Sequence, residues 1–446
     1  MSLRDILQPA PYLPEIEDPA EVKKKYTYWR YRIFLTMYAG YAFFYLTRKS
    51  LTFAMPALKE SLGFSTYELG LLGSTLSLVY GASKFFSGIL GDKSNPRYFM
   101  STGLILTGLC NFLFGMSSVF WVFLLFWGLN GFFQGWGWPS CARLLTHWYS
   151  KSERGRWWSS WSTSQNLGGA VIPIIAAVCA QYLGWRYALY IPGVLCIVVG
   201  LALMFGLRDT PRSLGLPEVE RYRQEPAAKA VQEEVVSLPV KELLFKYVLR
   251  NRPVWILAFA GFFVYVMRIA INDWSMLYLV EAKGYSSVFA SFCVCWFEIG
   301  GLMGSLTAGW CSDTLFGARR NPVNILFTVG ILIAMTIFWM APISTPILDA
   351  VFQFIFGFFI FGPQMLIGMT VAEISHKKAV ATSTGFAGYV AYLGAAAAGG
   401  PLGALVATWG WGSLFFTLTI CGAMTLALFL SLGITATRSE KEEIAV

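Results

Sequence analysis

Apolar stretches of about twenty residues follow one another along almost the whole chain, separated by short breaks rich in polar residues, glycine or proline. A run of that length, wound as a helix, matches the thickness of a bilayer's hydrocarbon core. The pattern predicts twelve helices, at 33–57, 67–91, 98–116, 120–146, 157–183, 187–207, 253–280, 287–311, 322–342, 347–371, 381–407 and 411–434. Several contain glycine or proline, which a helical bundle tolerates because neighbouring helices satisfy the freed backbone groups. The fold class is therefore an all-α membrane protein.

Composition sharpens this picture without changing it. Of 446 residues, 56% are hydrophobic and 13% charged, with mean hydropathy +0.55. The net charge of +9 has a topological origin. Lys23, Lys24, Lys25, Arg30 and Arg32 precede the first span, Lys93 and Arg97 lie between spans 2 and 3, and Lys151, Arg154 and Arg156 lie between spans 4 and 5. The alternate connections, such as SSVFW at 117–121, carry almost no basic residues, so both termini are expected on the cytoplasmic side of a multi-pass protein. Nothing in this charge calls for a nucleic-acid partner. The opening segment MSLRDILQPAPYLPEIEDP has no apolar core, so it does not read as a cleavable signal peptide. All eight cysteines (110, 141, 179, 196, 293, 295, 311 and 421) fall in or at the ends of predicted helices and read as packing residues. Cys293 and Cys295, two apart on a helix, diverge and are not expected to form a metal or redox pair.

The two halves of the chain repeat one another. GILGDK around Asp92 returns as GWCSDT around Asp313, a shift of 221, and NLGG from Asn166 returns as YLGA from Tyr392, a shift of 226. Six-plus-six parallel repeats describe the major facilitator fold, with two pseudo-symmetric six-helix halves. The expected organisation is a cytoplasmic N-terminal segment (1–32), a first bundle (33–207), a cytoplasmic linker (208–252), a second bundle (253–434) and a cytoplasmic tail (435–446). Within the linker, Val240, Leu243, Leu244, Tyr247 and Val248 share one stripe of a possible interfacial helix over 239–250; a plain tether is the equal alternative.

Two arginines interrupt this apolar pattern, Arg48 in YAFFYLTRKSLTFAM and Arg268 in FAGFFVYVMRIAINDW, related by a shift of 220. A guanidinium at mid-bilayer costs from about 3 to more than about 10 kcal/mol, so it survives facing a partner or a wet cavity. One arginine from each half suits an anion, because a planar guanidinium meets two phosphate oxygens at once. Lys84, inside span 2, either adds a third positive charge near the anion or snorkels to an interface. Tyr41 and Tyr45 share a helical face with Arg48, and Tyr80 shares one with Lys84; each either donates a hydroxyl to ligand or simply packs. Gln165 and Asn166 are candidates for sugar hydroxyls, the repeat-related Tyr392 for substrate contact, and Trp138 for the cavity lining; interhelical packing is an equal account of the Gln165–Asn166 pair. Asp273 and Glu298 are intramembrane acids expected to pair with Lys49 or Lys84, and a Lys49–Asp273 pair would gate one side of the cavity. Asp92 and Arg97, with Asp313 in the second half, read as loop latches near helix ends.

The segments GYAFFYLTRK, GDKSNPR, FFQGWGWPSCARLLTHWYSKSERG, FVYVMRIAINDW and FGPQMLIGMTVAEISHKK resemble those of the organophosphate:phosphate antiporter family, and most resemble its hexose-phosphate transporter and sensor branch. The resemblance implies exchange of a sugar phosphate, with glucose-6-phosphate favoured, for inorganic phosphate, in a bacterial inner membrane, by a monomer. It equally leaves open a glycerol-3-phosphate antiporter, or a hexose-phosphate sensor signalling to a membrane partner. Two positions depart from the family pattern. Gln165-Asn166 stands where many bacterial members have His-Asn, and the only histidines, His147 and His376, lie at helix ends. Ala395 to Ala398 are neutral where some hexose-phosphate transporters carry a charged pair. No nucleotide loop, metal constellation or nucleophile with its base is present in the sequence, so neither an enzyme nor a cofactor is expected.

Overall fold

The computed structural model describes residues 8–224, 245, 248–317, 319–340, 345–375 and 380–444. These are helical almost throughout: α1 (Pro19–Leu62), α2 (Thr66–Lys93), α3 (Pro96–Met116), α4 (Phe120–Gln134), α5 (Gly137–Trp148), α6 (Lys151–Tyr182), α7 (Tyr187–Gly206), a short α8 (Val219–Tyr222), α9 (Arg252–Glu281), α10 (Ser287–Thr314), α11 (Arg320–Met340), α12 (Pro346–Ile374), α13 (Val380–Ala397), α14 (Gly400–Trp409) and α15 (Gly412–Ile444). Eight stretches among the described residues are long and apolar enough to cross a membrane, and six of them belong to the second half of the chain. The remaining four expected spans are present as α1, α2, α4 with α5, and α6. Three of these carry Arg48, Lys49, Lys84, Gln165 and Asn166, polar side chains that dilute an apolar run, and the break in the fourth leaves α4 only 15 residues long.

Three helices differ from the sequence expectation. The first starts at Pro19 rather than near 33, because Asp18 caps it: its carboxylate accepts from Ala20 N at 3.0 Å and Glu21 N at 3.3 Å, with proline at the first helical position. The expected fourth span breaks at Gly135–Trp136 into α4 and α5, and the eleventh breaks at Ala398–Gly399 into α13 and α14. Broken helices leave carbonyl and amide groups that must be satisfied in a dry interior. Serines of α2 do this at both places. Ser83 Oγ donates to Phe132 O at 2.5 Å and Ser87 Oγ to Gly135 O at 3.0 Å. Ser74 Oγ donates to Ala396 O at 2.5 Å and accepts from Gly400 N at 2.7 Å, while Trp274 Nε1 donates to Ala398 O at 2.7 Å.

The chain packs as two compact units, one of residues 1–51, 82–172 and 186–237, the other of 52–81, 173–185 and 238–446. In the first unit, α3 and α7 meet through Gly108 and Gly193, where a Cβ on either would press on the other's carbonyl. Asn111, fully buried on α3, joins that contact to α1: its Nδ2 donates to Leu189 O at 2.8 Å and its Oδ1 accepts from Ser50 Oγ at 2.9 Å. In the second unit, α10 and α12 lie in close contact because Gly300, Gly304 and Gly357 face backbone of Phe354, Phe358 and Phe297, leaving no room for a side chain.

The start of the linker is fixed to the first unit. Asp209, 1% exposed, accepts from Arg143 Nε at 2.9 Å and from Ala10 N at 2.9 Å. Leu13 N donates to Arg212 O at 3.0 Å and Ile16 N to Gly215 O at 2.9 Å, so residues 10–16 run as a strap over 209–215. Tyr26 stacks on Tyr222 with ring centroids 3.9 Å apart, and its hydroxyl donates to Pro217 O at 2.7 Å. The possible helix over 239–250 falls mostly outside the described residues.

Candidate functional site

In the first unit the candidates form a group around Arg48 and a cation–aromatic pair joined to it through tryptophans. Arg48, half-buried on α1, donates from Nε to Gln134 Oε1 at 3.1 Å, and its guanidinium carbon lies 4.4 Å from the centre of the Tyr45 ring. Tyr45, 5% exposed, in turn donates from its hydroxyl to Gln165 Oε1 at 3.1 Å. Tyr41, one turn earlier, packs between Tyr45 and Trp161, at centroid distances of 5.8 and 4.7 Å. Thus Arg48, Tyr45, Tyr41 and Gln165 are brought together, with Asn166 buried beside Gln165 at 6% exposure. The pair is Lys84 and Trp138: the half-buried ammonium sits 4.9 Å from the indole centre, a cation held over a π-face, and Trp138 reaches Tyr41 through Trp158 and Trp161. Lys49 is buried at 7% exposure.

In the second unit Arg268 is 8% exposed on α9, with its guanidinium carbon 4.6 Å from the Phe361 ring and 5.9 Å from Tyr265. Tyr265 packs on Tyr392 at 5.4 Å, and Tyr392 on Tyr80 at 5.0 Å, so Arg268 heads an aromatic ladder that takes in two of the tyrosines expected from sequence. Asp273 accepts from Thr52 Oγ1 at 3.4 Å, and Glu298, 3% exposed, accepts from Asn272 Nδ2 at 2.9 Å. Each acid thus has at least one hydrogen-bond donor beside it, as burial of a carboxylate demands.

The loop residues divide. Arg97 donates to the Met204 carbonyl, tying the start of α3 to the end of α7. Asp313 pairs with Arg320, which also holds Glu373 at 3.1 Å, linking α10, α11 and α12. The Asp92 side chain and His376 lie outside the described residues, and His147 is exposed on α5. A further ionic junction in the first unit was not among the sequence candidates: Glu153 at the start of α6 binds Arg30 of α1 and, at 2.5 Å, Arg223 just after α8. Burial opposes ionisation of Glu153, but hydrogen bonds from Arg223 and Arg30 outweigh it and hold the carboxyl below its ordinary range.

Sequence reasoning passed over Gln134 and Tyr265. Tyr265 had a signal, since the shift of 220 that relates Arg48 to Arg268 also carries Tyr45 onto Tyr265. Each half thus repeats Tyr-x-x-Arg, and in each the ring lies against the guanidinium. Gln134 had no such signal, because the residue 226 positions later is Ile360. All eight cysteines are free thiols, and no cluster of metal-binding side chains occurs among the described residues.

Residues 37–399 match the model of the Major Facilitator Superfamily. The chain is 54% identical over 435 residues to a probable hexose phosphate transport protein of Chlamydia trachomatis, covering 95% of each chain. It is 48% identical over 417 residues to the membrane sensor protein UhpC of Escherichia coli, covering 94% of this chain and 95% of that one. The inward-facing, occupied crystal structure of a bacterial homolog to the human lysosomal transporter Spinster superposes with a TM-score of 0.70 at 15% identity, covering 92% and 97% of the two chains, a likeness of fold alone. Family and apolar helices together make this an integral multi-pass membrane protein, and the family is one of transporters, not enzymes. The chain belongs to the Major Facilitator Superfamily and, within it, to the group of hexose phosphate transport proteins and the sensor UhpC.

Proposed function

We propose that the protein carries a sugar phosphate across the membrane in exchange for inorganic phosphate by alternating access, with Arg48 and Arg268 gripping the phosphate. The observation that carries this reading is the repeated Tyr-x-x-Arg, which puts a buried or half-buried guanidinium, backed by a tyrosine ring, on one membrane helix of each half. A dianion with several oxygens is the ligand that two such forks fit, and the hexose-phosphate relatives favour glucose-6-phosphate. Lys84 adds positive charge, Gln165, Asn166, Tyr80 and Tyr392 address the sugar, and Trp138 lines the cavity. The protein sits in a bacterial inner membrane as a monomer with both termini in the cytoplasm.

Lys49, Asp273 and Glu298 serve as gates in this scheme. Lys49→Ala and Asp273→Ala are expected to be non-additive in a double-mutant cycle on transport; strictly additive effects would remove the gate. The decisive test of the function is reconstitution in phosphate-loaded liposomes with glucose-6-phosphate, glycerol-3-phosphate or phosphoenolpyruvate outside. Uptake of the first alone is expected, and preferential uptake of glycerol-3-phosphate would move the substrate to that branch. The relation to UhpC at nearly full length favours one second reading, a receptor that binds the same ligand and signals to a membrane partner. Tight binding of glucose-6-phosphate with no flux would establish it in place of transport.

A further inference from the structure

Gln134 closes α4 and is 1% exposed. Its Nε2 lies 3.1 Å from Phe44 O, 3.2 Å from Thr47 Oγ1 and 3.1 Å from Asn130 Oδ1, all acceptors, while its Oε1 lies 3.1 Å from Arg48 Nε. The amide cannot be turned over. Phe44 O is a carbonyl, and Asn130 is itself oriented because its Nδ2 donates to Thr47 O at 3.2 Å. A reversed Gln134 would set its carbonyl against two groups that cannot donate and its NH2 against a guanidinium that cannot accept. One neutral acceptor is thus aimed at Arg48 Nε by a buried network anchored on α1 and α4.

A guanidinium held at Nε cannot roll about its own chain, and the Tyr45 ring at 4.4 Å restrains its face. Restraint on edge and face leaves the two-pronged end, Nη1 and Nη2, in a fixed plane, which is what bidentate contact with a phosphate requires. The acceptor is an amide for a reason. A carboxylate would hold Nε more strongly but would also neutralise the charge that an anion needs, and would compete with that anion. The second unit does this differently: Arg268 rests against the rings of Phe361 and Tyr265, at 4.6 and 5.9 Å.

We propose that Gln134 is a positioning residue that fixes the plane of the Arg48 fork for an organophosphate without cancelling its charge. This rests on the reading of Arg48 as a phosphate ligand. The test measures glucose-6-phosphate exchange by the full-length protein in phosphate-loaded liposomes for wild type, Gln134→Leu, Gln134→Glu and Arg48→Lys. Loss of a hydrogen bond to a charged group predicts that Gln134→Leu raises KM roughly tenfold with kcat little changed. The near-isosteric Gln134→Glu should raise KM more at neutral pH, and its KM relative to wild type should fall as the medium is acidified and the carboxyl takes a proton. A merely structural glutamine would give no such pH-dependent ratio. A wild-type KM in Gln134→Leu, or a constant ratio in Gln134→Glu, overturns the proposal. Should the leucine variant fail to fold, the glutamate ratio decides alone. Arg48→Lys with wild-type KM would instead overturn the phosphate reading itself, whereas loss of exchange in Arg48→Lys beside unaffected Gln134 variants would overturn only the positioning role.

Discussion

Arg48 and Glu153 show two ways of placing a charge in this protein, one beside neutral groups and one between opposite charges. Arg48 has a glutamine and a tyrosine ring; Glu153 has two arginines. The second arrangement titrates. Since the folded carboxyl lies below its ordinary value of 4.5, the junction's stability is fully present above about that pH and is lost as pH falls through the lower folded value. Glu153→Gln is expected to lower stability by about 1–2 kcal/mol at neutral pH, the loss of charge-assisted hydrogen bonds in a partly buried place. Thermal melts of the detergent-purified protein check this: the gap between wild type and variant should close on acidification below 4.5, and a gap independent of pH would show that the junction does not titrate as described. At this scale the sequence displayed the charges and hid their partners. A lone arginine in an apolar run is conspicuous, but the glutamine that orients it is ordinary until the amide's neighbours are known.

Among the elements, α2 stands out as the helix that repairs others. Its serines cap the breaks of α4–α5 and α13–α14, and Gly70 and Gly81 let it lie against Gly399 and Tyr392. The break at Ala398–Gly399 has two supports, Ser74 and Trp274. Ser74→Ala and Trp274→Phe are each expected to cost about 1–2 kcal/mol, the loss of buried hydrogen bonds, and their effects should be non-additive because both serve one stretch of backbone. Melting of the two single variants and the double variant measures this, and simple additivity would refute a shared role. The breaks themselves were hard to read. GWGW at 135–138 and AAGGP at 397–401 contain glycines, but so do many unbroken helices here, and a glycine run does not reveal whether a serine on another helix waits to receive the freed groups. The early start of α1 was more legible, since Asp18-Pro19 is a start signal in its own right; the charged residues that follow it masked a helix that continues into an apolar span.

For the whole molecule, the spans and the repeat were readable because bilayer thickness and internal duplication both write long-range periodicity into a sequence. The mechanism proposed above adds a consequence. In the proposed exchange, bringing Arg48 and Arg268 to one empty cavity would oppose closure, since like charges at about 4 Å repel by about 4 kcal/mol at an effective dielectric near 20, and a phosphate would remove that repulsion. Exchange is therefore expected to outpace net movement by at least about tenfold, the effect of 1.4 kcal/mol of such a difference. Efflux of labelled phosphate from liposomes into medium with and without glucose-6-phosphate gives the ratio directly, and equal rates would rule out charge-gated closure.

The strap of residues 10–16 bears on how the protein can be handled. Because Ala10, Leu13 and Ile16 supply backbone hydrogens to Asp209, Arg212 and Gly215, residues 10–16 are part of the folded first unit rather than a loose handle. A reporter or affinity label fused without a spacer just ahead of Gln8 would crowd that seam, and trimming the chain back to Asp18 would strip three carefully placed donors from it.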